Sequence, residues 1–204
     1  MPPEEHLRTG EMPAATGRMP VTRWFLEMTS PTQLRRSAVP SPAPAIVRAE
    51  VPSPALNRFL YTSIGGGWHW IDRLPWTWAQ WMKWLDRPEL QTWVMYVAGT
   101  PAGYFELEKQ ANDQVELAYF GIAPEFIGRK LGGHLLTVAL EKAWAMGAQR
   151  IWVHTCTLDH AAALANYKSR GMSVFKEETE MKLVEPTPGP WPGANGPPPA
   201  EGRR

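Results

Sequence analysis

The chain has 204 residues, enough for one domain with a sizeable core. It carries 21 Lys and Arg against 20 Asp and Glu, a formal charge of +1 that argues against a nucleic-acid surface, and no apolar run approaches the ~20 residues that a membrane-spanning helix needs. A single cysteine, Cys156, excludes an internal disulfide; with a polar, Pro-containing N-terminus that lacks a signal-peptide core, this gives the expectation of a cytoplasmic protein with no nucleic-acid or membrane partner.

The 21 prolines and 11 tryptophans are spread unevenly. Residues 1–44 read as a mostly disordered extension, with a short strand at 21–28 and a flexible SAVPSPAP segment at 37–44. The folded domain is expected over 45–185. Ala45–Glu50 reads as a strand and Pro54–Ser63 as a helix; after the break at Gly65, Gly66 and Gly67, a second helix runs from Trp76 to Leu85 and stops near Pro88. Thr92–Ala98 and Gly103–Glu108 form a hairpin, with Gly99 and Pro101 in its turn. Val115–Ile122 (VELAYFGI) has the length and composition of a strand buried on both faces.

Leu131–Met146 is an amphipathic helix closed by Gly147, with Leu135, Leu136, Ala139, Leu140 and Ala143 on one stripe. Ile151–Thr155 is another buried strand. A last helix is expected over His160–Ser169, with Asp159 as its N-cap and Gly171 as its stop. Ser173–Lys176 and Met181–Val184 close the domain as two strands. Pro186–Arg204 is Pro- and Gly-rich with almost nothing apolar, so it cannot offset its ordering entropy and is expected to be a disordered tail. The sum is a mixed α/β sheet with helices on its faces.

The stretch PEFIGRKLGGHLL (Pro124–Leu136) stands between the apolar strand and the long helix. Strand, glycine-rich turn and helix together aim backbone N–H groups and a positive helix end at an anion, usually a phosphate. Lys130 sits in the middle of that turn.

Two motifs resemble the GNAT superfamily of acyl-CoA-dependent N-acyltransferases. GIAPEFIGRKLGGHLL is similar to V-x-P-x-Y/F-x-G-R/K-G-I/L-G-x-x-L-L, and DHAAALANYKSRGMSVF is similar to N-x-x-A-x-x-x-Y-x-x-x-G-F/M. The strand end WVHTCTLDH resembles a bacterial subgroup of these enzymes. The resemblance covers Leu56–Val184 in layout. It implies a mostly antiparallel central sheet, splayed between its fourth and fifth strands counted from Ala45, with helices on both faces. Ile127 stands where the family signature has Gln or Arg, Lys130 where it has its first glycine, and His160 where the second motif has Asn; Gly128 and Gly132 match. A lysine in such a turn either takes a strained left-handed backbone or, with ordinary φ, adds a cation near the phosphates.

What the resemblance implies about the site follows. Acetyl-CoA is the acyl donor. Backbone groups of Phe120, Gly121 and Ile122 hold the pantetheine arm, while Gly128, Arg129, Lys130, Leu131, Gly132 and Gly133 hold the pyrophosphate and His160 flanks the cofactor. Tyr167 matches the family's general acid, against the bland alternative of a core tyrosine. Glu116 stands where many members place a carboxylate that takes the amine's proton; its apolar strand neighbours raise its pKa by desolvation, against the alternative of an edge-facing, paired carboxylate. His154 and Thr155 end the strand on the acceptor side, His154 as a second base or as a hydrogen-bonded core histidine. Trp68, His69 and Trp70 form an aromatic wall for an amine by cation–π contact, while Trp78, Trp81 and Trp84 recur at near-helical spacing that suits core packing or a dimer patch. No histidine spacing indicates a metal site, and Cys156 has no role that this chemistry demands.

The expected function is acetyl-CoA-dependent N-acetylation of a primary amine, small molecule or peptide, by direct attack in a ternary complex. The alternative is a weakened acyl-CoA-binding or regulatory module on the same fold. A homodimer is compatible with either.

Overall fold

The structure, a computed structural model, describes residues 17–187 and 189. Gly17–Met28 forms β1. Ala45–Ala49 (β2) precedes two helices, Pro54–Gly65 (α1) and Trp78–Leu85 (α2). Leu90–Val97 (β3), Thr100–Gln110 (β4) and Gln114–Ile122 (β5) follow as a meander. Leu131–Ala145 (α3) leads to Arg150–Cys156 (β6), and Ala163–Ser169 (α4) leads to Ser173–Val184 (β7). The sheet has seven strands in the order β2-β3-β4-β5-β6-β1-β7, antiparallel throughout except for β5 and β6.

Local chemistry accounts for the element ends. The Ser53 hydroxyl accepts from the Leu56 N–H and Pro54 opens α1, while Thr77 and Gln80 make a reciprocal capping box that starts α2. Ala98 and Gly99, both with positive φ (49° and 83°), are the two-residue turn that joins β3 to β4. The helices cover both faces, as the period-two alternation of β4 makes explicit: a Cβ on Gly103 would press on Leu135 of α3, whereas Tyr104 meets Trp70 from the α1 side. The core lies between these layers, with Leu135, Leu136, Leu140 and Ala143 of α3 fully buried.

The register of β5 and β6 positions the site. They pair in parallel only where Gln114–Glu116 meet Arg150–Trp152. Beyond Glu116 they diverge, so the sheet splays between the fourth and fifth strands counted from Ala45.

Four expectations change. The segment 17–44 is not a disordered extension: β1 is a twelve-residue strand wedged between β6 and β7. The start of the 37–44 segment is pinned over α3, where the Ser37 N–H donates to Thr137 Oγ1 and the preceding Arg36 pairs with Glu141 at 2.7 Å. Just before it, the chain passes Gly171 (φ 100°), where any Cβ would collide with the Gln33 carbonyl. The two expected closing strands are one, β7, because it registers residue by residue along Gly17–Glu27 of β1 with a single irregularity between Phe25 and Leu26. Finally, α4 starts at Ala163 rather than His160. Asp159 is not its N-cap; its carboxylate accepts from Thr155 Oγ1 (2.7 Å) and the Cys156 N–H (2.9 Å), which ties off the end of β6 instead. Residues 1–16, and the tail from 186 on apart from 186, 187 and 189, lie outside the described residues.

Candidate active site

The splay opens a cavity of about 860 Å³ that runs from the α3 turn, between β5 and β6, to the face beneath α1 and α2. One wall is backbone. Leaving β5, the chain makes a short 3-10 turn, Pro124–Phe126, then passes through Gly128 and Lys130, both left-handed (φ 86° and 59°), into α3. Glycine takes that conformation freely; the lysine stores roughly 1 kcal/mol of strain. Of the two outcomes for Lys130, the backbone takes the strained one, yet the side chain still lines the cavity. No side chain caps α3, so the first-turn N–H groups of Leu131, Gly132 and Gly133 have no helical partner, and these residues line the cavity. A Cβ at Gly132 would project between Ile122 and Asn166, the gap on which the turn opens, and Asn166 Nδ2 holds the Gly132 carbonyl at 3.2 Å. The Arg129 guanidinium lies 4.9 Å from the Phe126 ring centre, and Arg129 is not among the residues that line the cavity.

Phe120, Gly121 and Ile122 are the unzipped end of β5, with main-chain edge free on the β6 side. Gly121 is required there, because a Cβ would fall 2.4 Å from Ile64 of α1. This combination suits an extended arm ending in a phosphate group: an open strand edge for amide pairing, a positive helix end, and open space at glycines.

Tyr167 is buried on α4, its ring centre 6.0 Å from that of Phe120, and its phenol lines the cavity. Burial and then Asp159 push its pKa well up, so it stays protonated at working pH. Glu116, at the last paired position before the splay, has its pKa pushed up to about 7, first by burial and then by Glu108; the Gln110 amide at 2.7 Å and the Arg73 cation pull the other way. His154 stands with Nδ1 3.8 Å from Glu116 Oε1, and desolvation and Arg23 hold its pKa below the ordinary histidine range, so it is neutral near pH 7. Thr155 is buried and donates to Asp159. Cys156 has its thiol pKa raised by burial and then by Asp159, which makes it a poor nucleophile.

The opposite wall is side chain. Trp68, His69 and Trp70 line it, with His69 left-handed (φ 61°). Trp70 packs edge-on against Tyr119 and Tyr104 and lies so close over Gly65 that no side chain fits there. Trp68 meets His160 edge-on at 5.0 Å, so His160 joins this wall, its Nδ1 accepting from the Ala162 N–H. The other tryptophans hold a cation of the protein itself. The buried Arg73 guanidinium sits 4.2 Å from Trp84, 4.7 Å from Trp76 and 4.1 Å from Tyr119. It pairs with the fully buried Glu106 at 2.8 Å, and Glu106 also accepts from Trp84 Nε1 (2.7 Å) and Asn57 Nδ2 (3.0 Å). Neither Arg73 nor Glu106 is among the residues singled out from the sequence. The signal was there: an acid inside the apolar strand YFEL and a lone arginine amid WIDRLPW require each other once buried. Trp78 stays exposed. Among the described residues, no group of three or more His, Cys, Asp or Glu is placed to hold a metal, and no helix is long and apolar enough to cross a membrane.

An uncapped helix start beside a splayed strand shares one cleft with an ionisable carboxylate and a buried phenol. Residues 55–172 match the acetyltransferase (GNAT) family, and the chain belongs to that family. No curated protein sequence matches the chain. Among solved structures, an acetyltransferase of the GNAT family from Novosphingobium aromaticivorans is 18% identical over 84% of this chain and 67% of its own, with a TM-score of 0.53. GCN5-related N-acetyltransferases from Sphaerobacter thermophilus and Kribbella flavida are 16% and 20% identical over 83% and 79% of this chain, each with a TM-score of 0.55. The chain spans only 55% and 58% of those two proteins' lengths, and at these identities the likeness is one of fold.

Proposed function

We propose that the chain transfers an acetyl group from acetyl-CoA to a primary amine by direct attack in a ternary complex. The observation that carries this is the meeting, in one cavity, of Glu116 with a pKa near 7 and the protonated phenol of Tyr167, on the two sides of the splayed end of β5. Acetyl-CoA supplies the thioester, whose carbonyl carbon gains a C–N bond and loses its C–S bond. The α3 turn holds the pyrophosphate by its N–H groups with Lys130 beside it, and Phe120–Ile122 pair with the pantetheine amides. Glu116 takes the proton that the amine must lose; a carboxylate is a far stronger base at pKa 7 than in its ordinary range. Tyr167 gives its proton to the departing thiolate. Its raised pKa makes it a weak acid in water, but a thiolate leaving into the same desolvated space is a correspondingly strong base. Trp68 and Trp70 shape the acceptor end.

The test is thiol release from acetyl-CoA over an amine panel, with Tyr167→Phe as the control. The variant is expected to lose about 100-fold in kcat while keeping its thermal stabilisation by acetyl-CoA. Equal rates for both proteins would remove the phenol from the mechanism. Thermal stabilisation without turnover on any amine would leave a binding module.

A further inference from the structure

We infer that the acceptor is a zwitterion, an amine that also bears a carboxylate, and that Arg23 of β1 holds its anionic end; the assignment rests on the acetyl-transfer reading above. Three acids line the cavity: Glu116 on β5, Asp72 on the α1–α2 connection, and Asp159 after β6, whose carboxylate is taken up by Thr155 Oγ1 and the Cys156 N–H. Its cations outside the α3 turn are Arg23 on β1, Lys182 on β7 and Arg73, and Arg73 is taken up by Glu106.

Arg23 is differently placed. Its pairing partner across β1 and β6 is Cys156, so it projects beside His154 and Cys156 on the face that the splay exposes. Its ion-pair partner among the described residues is Glu180, at 4.0 Å and with 62% of that side chain exposed, a contact worth little. Lys182 lies further along the same face of the strand ribbon and makes no ion pair among the described residues. The neighbouring His154 is neutral near pH 7 and does not compete for an anion. A guanidinium in a partly desolvated cleft, with only a loose partner, is the arrangement that recognises a carboxylate by charge-assisted, two-pronged hydrogen bonding. A polycationic acceptor would instead meet Arg23 and Lys182 in repulsion. Trp68 and Trp70, in the same cavity lining, offer an apolar panel for the body of the acceptor.

The experiment uses the full chain with acetyl-CoA and two matched acceptor pairs: phenylalanine against its carboxamide, and 4-aminobutyrate against its carboxamide. The wild type is expected to favour the free acid of at least one pair by about 10-fold or more in kcat/KM, Arg23→Gln to cut that preference about 10-fold through KM, and Arg23→Lys to retain part of it. Amides acetylated as well as acids in both pairs would overturn the proposal and leave the acetyl-transfer reading intact. Calorimetry on the CoA-loaded protein separates the two claims. An acid that binds in an Arg23-dependent way without releasing thiol supports the anion subsite and defeats acetyl transfer. Failure of both acids to bind overturns the subsite.

Discussion

The two walls of the cavity are made of different material. The α3 wall is backbone: N–H groups at a helix start, an open strand edge, and glycines that leave room. The wall beneath α1 and α2 is side chain: Trp68 and Trp70 line it, and Tyr119, against which Trp70 packs edge-on, lies on an arginine locked onto a buried glutamate. A backbone wall recognises what its ligands have in common, because every residue supplies the same groups; it tolerates changes of side chain that keep its shape. A side-chain wall discriminates, and its cost is the buried charge that holds it together.

The largest break in this comparison is expected on the side-chain wall. Arg73→Met leaves Glu106 buried with no cation and is expected to cost about 3–5 kcal/mol in denaturant unfolding, while Arg73→Met with Glu106→Met recovers most of it. A single-variant loss under about 1 kcal/mol would mean the cage is incidental. On the backbone wall, Gly132→Glu is expected to abolish thermal stabilisation by acetyl-CoA, a loss of about 100-fold in affinity or nearly 3 kcal/mol, because the side chain enters the gap beside Asn166 and repels phosphate.

Glu116 borders both walls and gives a pH signature. Its folded pKa of about 7 lies above the unfolded value, so the unfolded state releases its proton first as pH rises. Stability from this site is therefore full below about pH 4.5 and falls up to about pH 7, by on the order of 3 kcal/mol. Glu116→Gln is expected to remove that slope and to flatten the rise in turnover through pH 7; a wild-type profile flat from pH 6 to 8 would rule Glu116 out as the base. The smallest effect belongs to Lys130→Gly. Relief of the left-handed lysine, set against a floppier unfolded chain, is expected to add about 0.5 kcal/mol in thermal unfolding. If the ammonium reaches the phosphates, acetyl-CoA binding weakens a few-fold in the same variant.

How much of this was legible in the sequence follows the same division. The backbone wall could be read in advance, because glycines at set spacing after an apolar strand constrain φ and approach locally; Gly128, Gly132 and Tyr167 line one cavity. The splay was legible only through resemblance, since no residue encodes where two strands part. The Arg73–Glu106 pair was missed because its meaning is tertiary: two charges 33 residues apart become necessary to each other only when both are buried. β1 was undervalued for a similar reason. Its Pro-flanked, modestly apolar sequence looks weak in isolation and is strengthened by two flanking strands supplied from the far end of the chain. Arg129 shows the limit of spacing: a cation between the glycines whose guanidinium folds back onto Phe126.

The wedged position of β1 also sets an order of events during synthesis. Its hydrogen bonds join residues far apart in the chain, as in Glu27 with Arg150, 123 positions on, and Thr22 with Thr179, 157 positions on. β1 leaves the ribosome before every one of its partners and must wait, unpaired, until β6 and β7 have followed. Closing so long a loop makes this ribbon the slow, late step of folding. The cleft beside β6 is therefore finished late, and Arg23 takes its place in it only after β7 has been made.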